Sequence, residues 1–199
     1  MTTIPFRSAT PVRRLGRAVL IHYTSYRKTL KEDFNNRCGY CGSFDKIFRR
    51  SFAIDHFIPQ NPTGFTHTLP ANDYYNLVYA CGYCNSAKTN KWPTNDPAKP
   101  NDGKKGFIDP VDPAYDLLFH RDQQGAISVI KKTNHLSVYI HKELSLSNHI
   151  HSILWKLEKV DTSISTIKDL INKQGRTDLQ QTLNEFYEAY HSLTSTLFA

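Results

Sequence analysis

CGYCG (Cys38–Gly42), FAIDHFIPQ (Phe52–Gln60) and YNLVYACGYCNSAKTNK (Tyr75–Lys91) are the three runs on which the reading of this chain turns. They contain every cysteine: two Cys-x-x-Cys pairs, Cys38 with Cys41 and Cys81 with Cys84, on either side of the dipeptide Asp55-His56. A two-residue gap lets one tight turn present two sulfurs to one ion, and a structural zinc takes four such ligands in a tetrahedron. The competing reading is two disulfides, which belong to an oxidising compartment and to small secreted domains. The opening MTTIPFRSAT has no apolar core of signal-peptide length, so a cytoplasmic location and a four-cysteine zinc site at Cys38, Cys41, Cys81 and Cys84 are expected. Gly39 and Gly82 are expected at positive φ in the knuckle turns, with Tyr40 and Tyr83 covering the site.

Between the pairs, SFAID alternates as a half-buried strand does, with Phe52 and Ile54 on one face. Neighbours on a regular strand point to opposite sides. The strand must therefore end or bend at Asp55 and His56 if both serve one site, and Pro59, which cannot donate to a ladder, agrees with an ending. A loop holding Pro62, Gly64 and Pro70 leads to a second strand over roughly Leu77 to Ala80. CNSAKTNKW then reads as a short helix on which Asn85 and Lys88, three apart, share a face.

Taken in order, Cys-x-x-Cys, Asp-His-x-x-Pro, Asn-Leu-Val and Cys-x-x-Cys-Asn-x-x-Lys resemble the HNH endonucleases, in the four-cysteine branch of the ββα-metal fold. The resemblance covers about a quarter to a third of the chain. It implies an α+β protein with a ββα-metal nuclease core stapled by the four-cysteine zinc site. It also implies roles: Asp55 as ligand of a catalytic divalent metal, His56 as the general base on the attacking water, and Asn76 as the middle asparagine that ties the loop to the strands. Asn85 stands where the family name has its last histidine and still offers an oxygen to the metal. Lys88 stands where the family often has a basic residue near a phosphate. The products implied are a 5′-phosphate and a 3′-hydroxyl.

The chemistry of the residues stands beside that resemblance. Hydrolysis of a phosphodiester needs an activated water and charge stabilisation on an anion. Histidine suits the first because its ordinary pKa lies near neutrality. A hard cation such as Mg2+ or Mn2+, held by a carboxylate and an amide, suits the second. Four thiolates leave a zinc no open position, so two metals with separate tasks are expected. Asn76 reads equally well as a turn cap and Lys88 as a solvated helix charge. His67, His149 and His151 have no ligand-like partners in the sequence and are assigned to surface or packing.

Outward from the motif, the 199 residues fit one domain or a small domain with a helical annex, and no run approaches membrane-spanning length. The net charge of +7 is uneven: Lys and Arg outnumber Asp and Glu 16 to 7 over residues 1–105 and are outnumbered 9 to 11 beyond. A basic motif-bearing half is what a polyanionic partner requires. Residues 1–20 carry Arg7, Arg13, Arg14 and Arg17; tracking a nucleic-acid backbone, docking on a partner and forming a disordered tail are three open readings of this arm. Tyr23, Tyr26, Leu30 and Phe34 are spaced for a helix over about 21–35, and Lys46, Arg49 and Arg50 add charge before the strand. WPTNDPAKPNDGKKG is a loop. DLLFHRDQQGAISVIKK follows as two short strands around Gly125, with Leu118, Ile127 and Val129 inward. The last third is helical, with Gly175 as a stop signal and Thr177 as the N-cap of the final helix.

The organisation expected is thus a basic arm and helix (1–35), the nuclease core (36–95), a loop and hairpin (96–135) and a C-terminal helical region (136–199). The function expected is metal-dependent cleavage of nucleic acid, double-stranded DNA first. Small proteins of this kind also resemble nuclease subunits of bacterial anti-phage systems of the Septu type, which implies an ATPase subunit docked on the C-terminal helices. Two alternatives stay open: a zinc-stapled nucleic-acid binding module without cleavage, and a nuclease active only with a regulatory partner.

Overall fold

The computed structural model describes residues 4–47 and 51–198; Arg49 and Arg50 lie outside the described residues. The chain starts on a two-residue strand, β1 (Ile4–Pro5), which pairs antiparallel with Phe119–Arg121. Pro5 has no N–H for a further neighbour, and β1 accordingly lies at a sheet edge. A 3-10 turn at Tyr23–Tyr26 runs into α1 (Arg27–Asp33). Tyr26, Leu30 and Phe34 are buried, as their spacing requires, while Tyr23 is only half-buried.

The motif folds as β2 (Phe52–His56), β3 (Leu77–Cys81) and α2 (Gly82–Lys88). The two strands form an antiparallel pair in which Phe52 faces Cys81 and His56 faces Leu77. The helix begins at Gly82, immediately after the third cysteine, so the fourth cysteine is helical. A short α3 (Pro113–Asp116) precedes the hairpin of β4 (Phe119–Arg121) and β5 (Ile127–Val129), with Gly125 at φ +81° in its turn. β1, β4 and β5 make a second, three-stranded sheet. Then come α4 (His135–Glu143), α5 (Ile150–Gln174) and α6 (Gln180–Phe198). Gly175 ends α5 in the left-handed conformation. Thr177 does not cap α6; it opens a 3-10 turn, Thr177–Leu179, that leads into it.

One apolar core runs from Phe6 to Leu146 and joins both sheets, α1, α3 and α4. It is rich in aromatic rings, with Phe6, Tyr115 and Phe119 in mutual contact. A smaller cluster of Ile164, Ile167 and Leu183 closes α5 on α6. α5 is tied back to the motif by ion pairs from Arg37 to Glu158 and from Lys46 to Asp161. Among the described residues, no helix is long and apolar enough to cross a membrane.

The basic arm is strapped down by its own arginines. Arg7 donates to the carbonyls of Gly39 and Pro110 and pairs with Asp116. Arg13 donates to Leu77 O at 2.9 Å and to Asp109 at 2.8 Å. Arg14 meets Asp33 at 2.6 Å and Glu32 at 2.9 Å, and Arg17 reaches Thr29 at 3.1 Å. All four charges that made the arm look ready for a phosphate backbone are engaged within the protein.

The knuckle glycines are needed for space and not for positive φ. In the first turn the left-handed residue is Gly42, at φ +72°. A Cβ on Gly39 would lie 2.7 Å from Phe34 Cε1 and 2.9 Å from Val78 Cγ1, and one on Gly82 would lie 2.9 Å from Ser51 O. Gly39→Ala therefore overpacks a rigid interior. It is expected to lower unfolding free energy by about 1–3 kcal/mol, measured by urea denaturation with the metal content held equal.

Candidate active site and metal centre

β3 and the start of α2 carry one cysteine pair, and the turn after α1 carries the other. Gly39 N–H donates to Tyr79 O at 2.8 Å, which docks that turn on β3. All four cysteines are buried and free, and their sulfurs lie within 4.8 Å of one another. Cys41 and Cys81 are 3.7 Å apart. A disulfide needs about 2.05 Å, whereas a tetrahedron with Zn–S bonds of about 2.3 Å has edges of about 3.8 Å. Four thiols at that spacing fit a zinc ion and do not fit two disulfides.

The first knuckle is clamped from outside the motif. Its three successive carbonyls, Gly39, Tyr40 and Cys41, accept from Arg7 at 2.7 Å, Tyr115 at 2.9 Å and Arg121 at 2.6 Å. Arg121 is buried and also holds Phe6 O and Gly125 O. Nothing local in the sequence marked these three donors. They come from the arm, α3 and β4, and only the tertiary fold brings them together.

Asp55, His56 and Asn85 line one open cleft of about 260 Å3, together with Ile54, Pro59, Gln60, Asn61, Thr89 and Asn90. The end of β2 supplies the first two and α2 the third. Asp55 is buried and accepts from Tyr40 Oη at 2.5 Å. Burial, and then the Asp55 charge, push the Tyr40 hydroxyl well above its ordinary pKa, so it stays a donor. Tyr40 thus does more than cover the cysteines: it joins them to Asp55.

Lys88 corrects the sequence reading. It is fully buried, with Nζ 3.2 Å from Asp55 Oδ2 and 2.8 Å from His56 O. Burial draws its pKa down and the Asp55 charge pulls it back up. It is neither a solvated helix charge nor one of the residues lining the cleft; its ammonium is drawn inward to Asp55 and the His56 carbonyl. Asn76 likewise does not line the cleft. Its amide makes two bonds to the backbone of Ile58, at 2.8 Å and 3.0 Å, and pins the chain just after His56.

His56 is buried, with Nε2 2.8 Å from Ala71 O and the Tyr23 ring 4.8 Å away at its edge. A carbonyl only accepts, so Nε2 carries the proton and Nδ1 keeps a lone pair. Burial lowers the imidazole pKa below its ordinary 6.5, with partial compensation from Ala71 O and Asp55. His56 is therefore neutral and basic at Nδ1 near neutral pH. Of the other histidines, His67 bonds Pro59 O and Leu69 N within the loop, and His151 is buried in α5. Beyond the four cysteines, no group of three or more His, Cys, Asp or Glu side chains converges among the described residues. The cleft donors are oxygens of one carboxylate and several amides.

Residues 38–91 match the family model described as HNH endonuclease, which spans the cysteines, Asp55, His56, Asn76, Asn85 and Lys88. The match makes this segment similar to an HNH endonuclease domain. No curated protein and no solved structure matches the chain. Metal analysis of the purified protein is expected to find a single zinc per chain. Cys81→Ser is expected to lose most of it and to lower the melting temperature by more than about 10 °C, since a structural zinc contributes directly to folding.

Proposed function

We propose that the chain is a metal-dependent endonuclease that hydrolyses phosphodiester bonds in DNA, with β2, β3 and α2 as a ββα-metal core. The observation that carries this reading is the shared cleft of Asp55, His56 and Asn85, with His56 Nε2 held 2.8 Å from the Ala71 carbonyl, a partner that suits an Nε2–H donor. Asp55 and Asn85 would hold a hard divalent cation such as Mg2+ or Mn2+, which supplies charge stabilisation to the scissile phosphate when bound.

The protein groups then divide the remaining work. Nδ1 of His56 takes a proton from water, and Ala71 O accepts from Nε2–H, steadying the imidazolium that results. Tyr40 and Lys88 hold the Asp55 carboxylate in one orientation from the side away from the cleft. Asn76 fixes the backbone after His56, so the imidazole does not swing with the loop. Asn85 projects from α2, whose first turn is anchored by Cys84, and the zinc staple thereby sets the distance between amide and imidazole. Gln60, Asn61 and Asn90 at the rim offer hydrogen bonds to phosphate or sugar without selecting a base.

Two outcomes test the reading. His56→Ala, at unchanged zinc content and circular dichroism, is expected to slow plasmid nicking in Mg2+ or Mn2+ by at least about 100-fold, the scale of a general base. Because burial holds the His56 pKa below 6.5, the neutral base is present above that value and lost below it. The rate is therefore expected to rise with pH through an inflection below 6.5 and then level off, and that limb should vanish in His56→Ala. Unchanged nicking by the variant removes His56 as the base, and no nicking by the parent with any divalent metal leaves a zinc-stapled binding module.

A further inference from the structure

Net charge places the positive surface in the first half of the sequence; the ion pairs show which of those charges are already taken. Arg7, Arg13, Arg14, Lys31, Arg37, Lys46, Lys88 and Lys91 all have acidic partners. A hollow of about 250 Å3 beside β1 is lined by Arg7, Arg37, Arg121 and Lys159; the three arginines are held by a carboxylate or by carbonyls, and Lys159 Nζ lies 5.1 Å over the Trp155 ring, which leaves one unpaired lysine there. Among the described residues, Lys28, Lys99, Lys104, Lys105, Lys131, Lys132, Lys142, Lys156, Lys159 and Lys168 have no acid within ion-pair distance. Three of them, Lys104, Lys105 and Lys142, converge on a second hollow of about 370 Å3 with His135, Val138 and Tyr139. The nearest loop carboxylate, Asp102, is turned onto the backbone amides of Lys104 and Lys105 at 2.8 and 2.7 Å.

This patch is built rigidly onto the cleft. Phe57 follows His56 in sequence and meets Trp92 edge-on at 5.2 Å; Trp92 stacks on Phe107 at 6.4 Å; Phe107 meets Tyr139 at 6.0 Å. Lys91, next to the cleft residue Asn90, pairs with Glu143 at 2.8 Å, beside Lys142 on α4. Three ring-to-ring steps separate the residue after the candidate base from the patch. At about 3.4 Å per base along a strand, the Phe57 and Tyr139 rings are no more than about five bases apart.

We propose that Lys104, Lys105 and Lys142 form the surface on which the nucleic-acid backbone runs as it leaves the cleft, binding phosphates by charge without reading bases. The identity of the partner rests on the nuclease reading. The surface itself rests on the unpaired lysines and their aromatic attachment to β2. Three unpaired lysines lining one open hollow suit a flexible polyanion better than an apolar docking helix. A patch this near the cleft adds affinity only for substrates long enough to reach it.

The test measures binding of a 30-base-pair duplex across a salt series, without added Mg2+ or Mn2+, for the zinc-loaded protein. For duplex DNA each neutralised phosphate contributes about 0.9 to the slope of log K against log salt. The variant K104A/K105A/K142A is expected to lose about 2–3 from that slope and about tenfold or more in affinity near 0.1 M salt. The control K28A/K156A/K168A, which removes lysines remote in sequence from the patch, should keep the parent slope. In nicking assays the triple variant should raise KM and leave kcat alone, and duplexes shorter than about five base pairs on both sides of the cut should not distinguish it from the parent. An unchanged slope in the triple variant overturns the proposal, as does a parent that binds no nucleic acid. Loss of self-association as the variant's only defect also overturns it and assigns the patch to a second copy. A parent that binds with the expected slope but never nicks keeps the surface and sinks the nuclease reading alone.

Discussion

Four sulfurs brought to one point from two turns, with Cys41 and Cys81 forty residues apart, are the constraint on which the rest of the structure depends. Closing a loop of that length in the unfolded chain removes about 4 kcal/mol of conformational entropy in the chain-entropy model, and a metal staple acts in the same sense as a covalent cross-link. Everything proposed to do chemistry lies inside that closed loop or one turn beyond it. β2 and β3 make a single pair of five residues each, too little to be stable by itself in water. The staple holds the first knuckle against β3 and starts α2 at a defined angle, and that spacing lets Asn85 face the same opening as His56.

The clamp on the first knuckle explains why so short a motif sits in a chain of this length. Its three carbonyls are satisfied by Arg7, Tyr115 and Arg121, from elements that contain no cysteine and no candidate acid or base. A motif cut away from the arm, α3 and β4 would lose these three hydrogen bonds and expose the turn to water. Tyr40 lies inside that turn, accepting through its carbonyl from Tyr115 and donating through its hydroxyl to Asp55. Mechanical order therefore passes from the second sheet, through the cysteine turn, to the carboxylate in the cleft. Lys88 closes the arrangement from below. A buried ion pair is costly to assemble, and removing one member leaves an uncompensated charge, which fits a group whose task is to fix the orientation of Asp55.

Much of this was legible because it is local. The cysteine spacing, the halt at Pro59 and the left-handed Gly175 all follow from residues within a few positions of one another, whereas the alternation expected for SFAID does not appear: Ile54 is only half-buried and lines the cleft, and Asp55 is buried. The strand after the loop was legible too, and missed by one residue, because Cys81 belongs both to β3 and to the knuckle. What could not be read depends on partners far away in sequence. β1 has only two residues and exists because β4 offers it an edge. Lys88 and the four arginines of the arm carry the same charge whether they face water or a carboxylate, and composition does not distinguish the two. Gly39 was assigned to backbone freedom when its neighbours, Phe34 and Val78, demand the absence of a Cβ; the residue type was right for a reason the sequence does not contain.

The distribution of charge shows how far counting misleads. Over residues 1–105 the excess of basic residues is real, yet Arg7, Arg13 and Arg14 serve as internal struts, and Lys88 is sealed beneath Asp55. A buried or paired cation releases no counterion when a polyanion arrives, so it adds nothing to the salt-dependent attraction that dominates nucleic-acid affinity. Only unpaired, solvated lysines do so, and those that converge on one hollow lie past the cysteine motif, on the loop before α3 and on α4. The cleft itself carries one carboxylate with its own buried counter-charge and a rim of amides, which is nearly neutral ground for a phosphate. In such a site the cation proposed for Asp55 and Asn85 and the lysines along the flank have separate tasks: the first acts on the one phosphate being cut, and the second on its neighbours. Attraction placed beside the reacting centre, and not within it, raises occupancy without holding substrate and transition state equally tightly at the point of cleavage.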